Sequence, residues 1–155
     1  MGLQVEQQLS LFLDNKPGAL AGVCRDLAAR RINIEAITIA NLVDHAVVRM
    51  VVSDPRAALH CLGERGALVI ASDVLAIDLA DQPGAIERIA DRLGRADVNI
   101  DYLYGSSRGS GRQRHATVFL RVSDVVKARR ALASLGAGGS RLAPRPRKHR
   151  ARHRR

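Results

Sequence analysis

The segment Gln8-Leu9-Ser10-Leu11-Phe12-Leu13 places leucine at every second position, the period of a strand that buries one face. Pro17-Gly18 then opens a stretch whose apolar residues, Leu20, Val23, Cys24, Leu27 and Ala28, recur at helical spacing. Proline stands in the first turn, where its missing N–H costs nothing. Residues 33–42, rich in Ile, and 46–52, rich in Val, flank Val43-Asp44-His45 and read as two strands joined by a short turn. Asp54-Pro55 supplies an N-cap and a first-turn proline for a helix carrying Ala58, Leu59 and Leu62. Gly66 ends that helix, and Ala67-Leu68-Val69-Ile70 reads as a fourth strand. The order is βαββαβ.

The pattern then recurs. Asn15-Lys16-Pro17-Gly18-Ala19-Leu20 aligns with Asp81-Gln82-Pro83-Gly84-Ala85-Ile86 at an offset of 66, and Ile32-Asn33-Ile34-Glu35 aligns with Val98-Asn99-Ile100-Asp101 at the same offset. His45-Ala46-Val47-Val48 matches His115-Ala116-Thr117-Val118, and Val52-Ser53-Asp54 matches Val122-Ser123-Asp124, both at an offset of 70. The extra residues fall in Gly105-Ser106-Ser107-Arg108-Gly109-Ser110-Gly111, whose composition predicts a flexible loop that tolerates insertion. So many matches in fixed order imply a duplicated unit. The second copy predicts a strand over 74–79, a helix over 83–96, strands over 98–104 and 116–122, and a helix over 124–135. Its last strand is weak, because Gly136-Ala137-Gly138-Gly139-Ser140 has little strand propensity; Leu142 at most adds a short one.

The expected fold class is therefore α+β: two ferredoxin-like βαββαβ modules in tandem, 1–71 and 72–140, followed by a tail, 141–155. Each module packs two helices on one face of an antiparallel sheet. A module of about 65 residues has a thin core and gains from burying surface on a neighbour, so the sheets are expected side by side.

Composition alters this picture in three places. Hydrophobic residues form 46% of the chain but aromatics only 3%, so the core is aliphatic. The net charge of +10 suggests nucleic acid until it is divided along the chain: residues 141–155 carry seven Arg, one Lys and no acidic residue, leaving +2 for the rest. The tail predicts disorder and weak, salt-sensitive nucleic-acid binding. Cys24 and Cys61 lack metal or disulfide spacing and read as reduced core or near-core thiols. With no apolar run long enough to cross a bilayer, the expected location is cytoplasmic.

The run Asp14-Asn15-Lys16-Pro17-Gly18-Ala19-Leu20 followed by Ile32-Asn33-Ile34 resembles the ACT domain, and Asp81-Gln82-Pro83-Gly84-Ala85-Ile86 with Val98-Asn99-Ile100 resembles it with one departure. The resemblance spans residues 4–135 and is to free-standing bacterial ACT pairs. It implies a non-catalytic regulatory protein that binds a free amino acid between modules, self-associates as a homodimer and signals to a partner enzyme. In serine-sensing members the asparagine two residues before Pro-Gly and the asparagine of the N-I motif bind the effector; by position these are Asn15 and Asn33. The implied site is Asp14, Asn15, Pro17, Gly18, Ala19, Leu20, Asn33 and Ile34, with a second at Asp81, Gly84, Ala85, Ile86 and Asn99, where Asp81 replaces the first asparagine.

Residue chemistry agrees. A helix N-terminus presents N–H groups and a positive dipole end to a carboxylate, glycine admits a ligand close to the backbone, and an asparagine amide both donates and accepts. The plainer alternatives are that Pro-Gly only starts a helix and that Asn33 and Asn99 only cap turns. His45 and His115 lie at strand ends and read as surface residues; with no ligand cluster around them, no metal, cofactor or catalytic group is expected. Arg30-Arg31 and Arg129-Arg130 read as solvated helix ends, and Arg108, Arg112 and Arg114 as a basic loop. Two other readings compete: a regulatory subunit of an amino-acid biosynthetic enzyme, and a nucleic-acid-associated protein. RNA-recognition modules share the βαββαβ order, but Ala46-Val47-Val48-Arg49-Met50 and Ala116-Thr117-Val118-Phe119-Leu120 lack their stacking aromatics.

Overall fold

The computed structural model describes residues 2–108 and 115–133. The predicted loop from Gly109, together with Arg112, Arg114, the strand at Leu142 and the tail, lies outside the described residues. The elements run β1 (Gly2–Asp14), α1 (Ala19–Ala29), β2 (Ile34–Leu42), β3 (His45–Val52), α2 (Pro55–Glu64), β4 (Val69–Ala80), α3 (Ala85–Arg95), β5 (Ile100–Arg108), β6 (His115–Val122) and α4 (Val125–Ala133). The six strands form one antiparallel sheet in the order β2-β3-β1-β4-β6-β5.

The two strands expected over 67–70 and 74–79 are a single strand, β4, unbroken through Ser72. Its first half pairs with the middle of β1, from Leu11↔Val69 to Gln8↔Ser72, and its second half pairs on one side with β6 and on the other with Gly2–Gln7 of β1. The amino-terminal half of β1 thus occupies, beside the second module, the position that β4 occupies beside the first. Both long strands are shared. In the β1–β4 ladder Gln7 faces Asp73, two residues separated by the repeat offset of 66, so the pseudo-two-fold axis passes between them.

Strand period decides what each face buries. Leu9 and Leu11 of β1, Val48, Met50 and Val52 of β3 close on Val23, Leu27, Ala58 and Leu62 of α1 and α2. Leu75 and Ile77 of β4, Val118, Leu120 and Val122 of β6 close on Ile89, Leu93, Ala128 and Leu132 of α3 and α4. All four helices therefore lie on one face, as the sequence predicts. The helix caps follow from the repeated Val-Ser-Asp: Asp54 Oδ1 accepts from the Ala57 N–H at 3.0 Å, and Asp124 Oδ1 from the Lys127 N–H at 2.8 Å. Cys61 is buried and Cys24 partly so, both as free thiols.

The opposite face is not left open. Arg49 on β3 stands 4.3 Å above the ring of Tyr102 on β5, although three strands separate β3 from β5 in the sheet order. The sheet curls across its helix-free side, and Val51, Val74, Ala76 and Phe119 form a third buried cluster there, with Ala36 and Tyr104 packed against it. One expectation is corrected here: Gly105–Arg108 is not loop but the end of β5, paired from Gly105↔Val118 to Arg108↔His115. Ladder hydrogen bonds outweigh the weak strand propensity of this run. Gly105 is required by proximity, since a Cβ on it would lie 2.4 Å from the Thr117 carbonyl oxygen.

Candidate functional site

Each Pro-Gly turn ends on a glycine in the left-handed region, Gly18 at φ 85° and Gly84 at φ 81°, which explains glycine at both positions. Neither α1 nor α3 has a side-chain cap at its start. The two turns differ in what stands before them. A Cβ built on Gly18 meets nothing within 4 Å, whereas one on Gly84 meets the Arg88 guanidinium at 3.4 Å. The first turn of α1 has no acidic residue, and that of α3 has Glu87. The Ala19 N–H donates to the Lys16 carbonyl at 3.3 Å, so an incoming carboxylate meets the following N–H groups with no acidic side chain before them in the first module, and the Glu87 and Arg88 side chains in the second.

Asn15 is partly committed to structure. Its Nδ2 donates to Asn41 Oδ1 at 3.0 Å and to the Val43 carbonyl at 2.8 Å, and its N–H donates to the Asp44 carbonyl at 3.0 Å. These bonds hold the β2–β3 turn and engage both amide protons, leaving Oδ1 to accept. Asp14 pairs with Lys16 at 2.8 Å, and that hydrogen bond, with the lysine charge, holds its carboxyl below the usual range. Lys16 stands at the mouth of the turn.

The asparagines of the N-I motif are anchored through their main chains. The Asn33 N–H donates to Ser53 Oγ at 2.9 Å while the Ser53 N–H donates to the Asn33 carbonyl at 2.9 Å; Asn99 and Ser123 exchange the same pair at 3.0 Å each. The Asn99 side chain also donates to Asp101 Oδ1 at 3.0 Å. Ile34, next to Asn33, begins β2 and packs against the first core.

These residues do not meet within one chain. Asn15 sits beside His45 and Asn33 beside Ser53, at opposite ends of β3. Eight strand residues separate them by roughly 26 Å. Asp14, Asn15, Pro17, Gly18, Ala19 and Leu20 form one cluster at the turn into α1; Asn33 and Ile34 form another at the start of β2. The second module repeats the separation, with Asp81, Gly84, Ala85 and Ile86 at one end of its strands and Asn99 beside Ser123 at the other.

Where the modules do face each other is the helix-free side. Gln8, fully buried, donates through Nε2 to the Tyr102 hydroxyl at 2.5 Å and accepts at Oε1 from the Tyr104 hydroxyl at 3.0 Å. The Tyr104 and Phe119 rings stack with centroids 5.3 Å apart. Burial, reinforced by Tyr102 and opposed by Arg49, pushes the Tyr104 phenol well above its ordinary value. Beside this stack a cleft of about 260 Å³ runs between β2 and β5, lined by Glu35, Ala36, Thr38, Tyr104, Ser106 and Thr117 among others. Of these residues only Glu35 and Thr117 fall within the repeated motifs, Glu35 opposite Asp101 and Thr117 opposite Val47. What marks the others in the sequence is broken repetition: Gln8 against Val74, Ala36 against Tyr102, Thr38 against Tyr104, and Arg49 against Phe119 at the two repeat offsets. Among the described residues no group of His, Cys, Asp and Glu could hold a metal ion, and no helix is long and apolar enough to cross a membrane.

The sequence profile of the ACT domain pair matches residues 4–133. A crystal structure of a protein from Bacteroides thetaiotaomicron is 33% identical, with a TM-score of 0.80 over 86% of this chain and 90% of that one. The ligand-free regulatory subunit of aspartate kinase from Thermus thermophilus shares the fold at 18% identity, with a TM-score of 0.62 over 86% of this chain and 96% of that one. The corresponding subunit from Thermus flavus does so at 19% identity and a TM-score of 0.59, over 86% and 94%. No curated protein matches the sequence.

Proposed function

The chain belongs to the ACT domain pair family, and from that premise we propose that it is a regulatory protein whose first module binds a free amino acid at the turn into α1. The observation that carries this reading is the start of α1: a left-handed Gly18 with open space before it, no side-chain cap and no acidic residue in the first turn. With the Ala19 N–H given to the Lys16 carbonyl, the ligand carboxylate takes the helix start at Leu20, aided by Lys16, and the ammonium takes Asn15 Oδ1. Because Asn33 lies roughly 26 Å away along β3, it contributes only if a second copy brings its β2 edge to this turn. The complete site is then a property of a homodimer.

Screening the twenty amino acids by thermal shift tests this. One of them raises the melting temperature, Gly18→Ala and Asn33→Ala each remove the effect, and Gly84→Ala leaves it. No shift with any of them at millimolar concentration overturns the proposal. A stabilising amino acid whose effect survives in Asn33→Ala places the whole site within one chain.

A second reading has its own support. The regulatory subunit of aspartate kinase from Thermus thermophilus is a separate chain of which this one covers 96%. A chain of that size, acting in trans on a separate enzyme, copurifies with it in stoichiometric amounts; recovery of the protein alone from its native cell counts against that role.

A further inference from the structure

On the helix-free side, the outer end of the first module is apolar where the same end of the second is polar. Along one rung of the sheet Ala40 pairs with Val47 and Val47 with Phe12, and the Phe12 N–H donates to the Leu68 carbonyl at 3.3 Å. Ile70 stands one rung inward, opposite Ser10, and Leu42 one rung outward, opposite His45. Alternation puts all six on the bare face, because their neighbours Leu11, Val48 and Val69 point into the first core. Ala40 and Val47 form the base of this strip, while Phe12, Leu42, Leu68 and Ile70 remain 38%, 57%, 63% and 51% exposed.

The pseudo-two-fold axis carries the rung onto Ser106, Thr117, Asp78 and Gly2, and carries Ile70 onto Gln4. There Thr117 donates to Asp78 Oδ1 at 2.6 Å. An antiparallel sheet face that meets water is polar, and the second module follows that rule. The first module breaks it with a contiguous strip, and a strip of a few hundred Å² is the size at which exposed apolar surface marks a contact. Equivalent strands with opposite surface chemistry imply that the first module's end is covered by something the second module's end does not meet.

The composition of the strip selects its cover. None of its six side chains is polar, so a charged partner would leave its charges unmatched. Residues 141–155, with seven Arg, one Lys and no acidic residue, are poor occupants for that reason. A second copy brings an identical apolar strip. The rim carries both signs, since Asp14 pairs with Lys16 at 2.8 Å and stands opposite His45 in the β1–β3 ladder, so two copies of it can set acid against base.

We propose that the strip of Phe12, Leu42, Leu68 and Ile70 on the helix-free side is a self-association face, packing first module against first module across a two-fold axis. Because the equivalent surface of the second module is polar, the contact is isologous and closes at two copies instead of propagating into a filament. It is separate from the contact that would bring Asn33 to the turn into α1, since Asn33 precedes β2 and the strip lies at its far end.

Sedimentation of the full chain without any amino acid tests this. The parent self-associates with a micromolar dissociation constant. Ile70→Lys halves the sedimenting mass and keeps the urea midpoint, as expected of a half-exposed side chain. Ile70→Gln, which installs the residue of the equivalent position, weakens association by about tenfold or more. Gln4→Lys, the matching change in the second module, leaves association as it was. A parent that stays monomeric at about 100 µM, a mass that Ile70→Lys and Ile70→Gln leave unchanged, or an equal loss in Gln4→Lys each overturns the proposal. The amino-acid response lost in Asn33→Ala is read separately by thermal shift, so either proposal can fail alone.

Discussion

The helix side of the sheet and its bare side have opposite relations to the duplication. On the helix side the two cores are copies: Leu9, Leu11, Val23, Leu27, Val48, Met50, Val52, Ala58 and Leu62 correspond, at the repeat offsets, to Leu75, Ile77, Ile89, Leu93, Val118, Leu120, Val122, Ala128 and Leu132, and every one of them is buried. On the bare side the copies have parted: Gln8 stands against Val74, Ala36 against Tyr102, Thr38 against Tyr104, and Arg49 against Phe119. The difference separates two tasks. Folding a module requires the same apolar set twice, whereas joining two modules in one chain favours unlike partners, polar groups of one copy fitted to aromatic hydroxyls and rings of the other. A pair specified in this way prefers its own two halves to two identical ones.

The largest test addresses the copied side. Leu27 and Leu93 are fully buried at equivalent points of α1 and α3. Leu27→Ala and Leu93→Ala are each expected to cost about 2–5 kcal/mol, the range for a large-to-small change in a packed core. Because β1 and β4 each serve both modules, either change lowers the midpoint of one cooperative transition. Urea unfolding followed by circular dichroism measures this. A biphasic curve in either variant shows the modules separable and breaks the account of shared strands.

A smaller effect is expected on the diverged side. Gln8→Val installs the residue that the equivalent position, Val74, already has, and it strips the Tyr102 and Tyr104 hydroxyls of their partner. The expected loss is about 1–3 kcal/mol, the cost of leaving buried polar groups unmatched. Tyr104→Phe in the same chain removes one orphaned hydroxyl, so the double variant loses less than the two singles together. Additive losses, from a double-mutant cycle in urea, remove the complementarity argument.

These results also indicate what the sequence made legible. Element order, the helix-bearing face and both Pro-Gly turns were readable because each rests on local signals: period two at Leu9 and Leu11, period 3.6 at Leu20 to Leu27, and Gly18 and Gly84 where only glycine is comfortable. The division of β4 was not readable, since residues 67–70 and 74–79 each look like a strand and only the pairing with β1 shows them continuous. The separation of Asn15 from Asn33 was hidden for a similar reason. Both flank motifs of one module, yet a strand of eight residues lies between them, and spacing along the chain does not measure distance across a hairpin. The cleft was least visible, because most of its lining, Ala36, Thr38, Tyr104 and Phe119 among it, is drawn from positions where the repeat fails, and a search for repetition passes over them.

The smallest effect is a pH dependence confined to one copy. Thr38, the first module's counterpart of Tyr104, has no titrating group, so alkaline pH acts on this face through the second module. Desolvation holds the Tyr104 phenol protonated beyond its ordinary range, whereas in the unfolded chain it titrates near 10. Once the pH passes that unfolded value, the unfolded state has released the proton and the native state retains it. The unfolded state then binds fewer protons, and stability falls as pH rises. Below the unfolded value both states are protonated and the group contributes no slope. Tyr104 is only partly shielded, so the loss is expected to stay under about 1 kcal/mol per pH unit. Urea midpoints between pH of about 9 and 11 should decline in the parent chain and less steeply in Tyr104→Phe, which keeps the Phe119 stack but has no phenol to titrate. If both chains decline alike, the alkaline sensitivity belongs to surface charge as a whole and not to the hydroxyl that Gln8 holds between the modules.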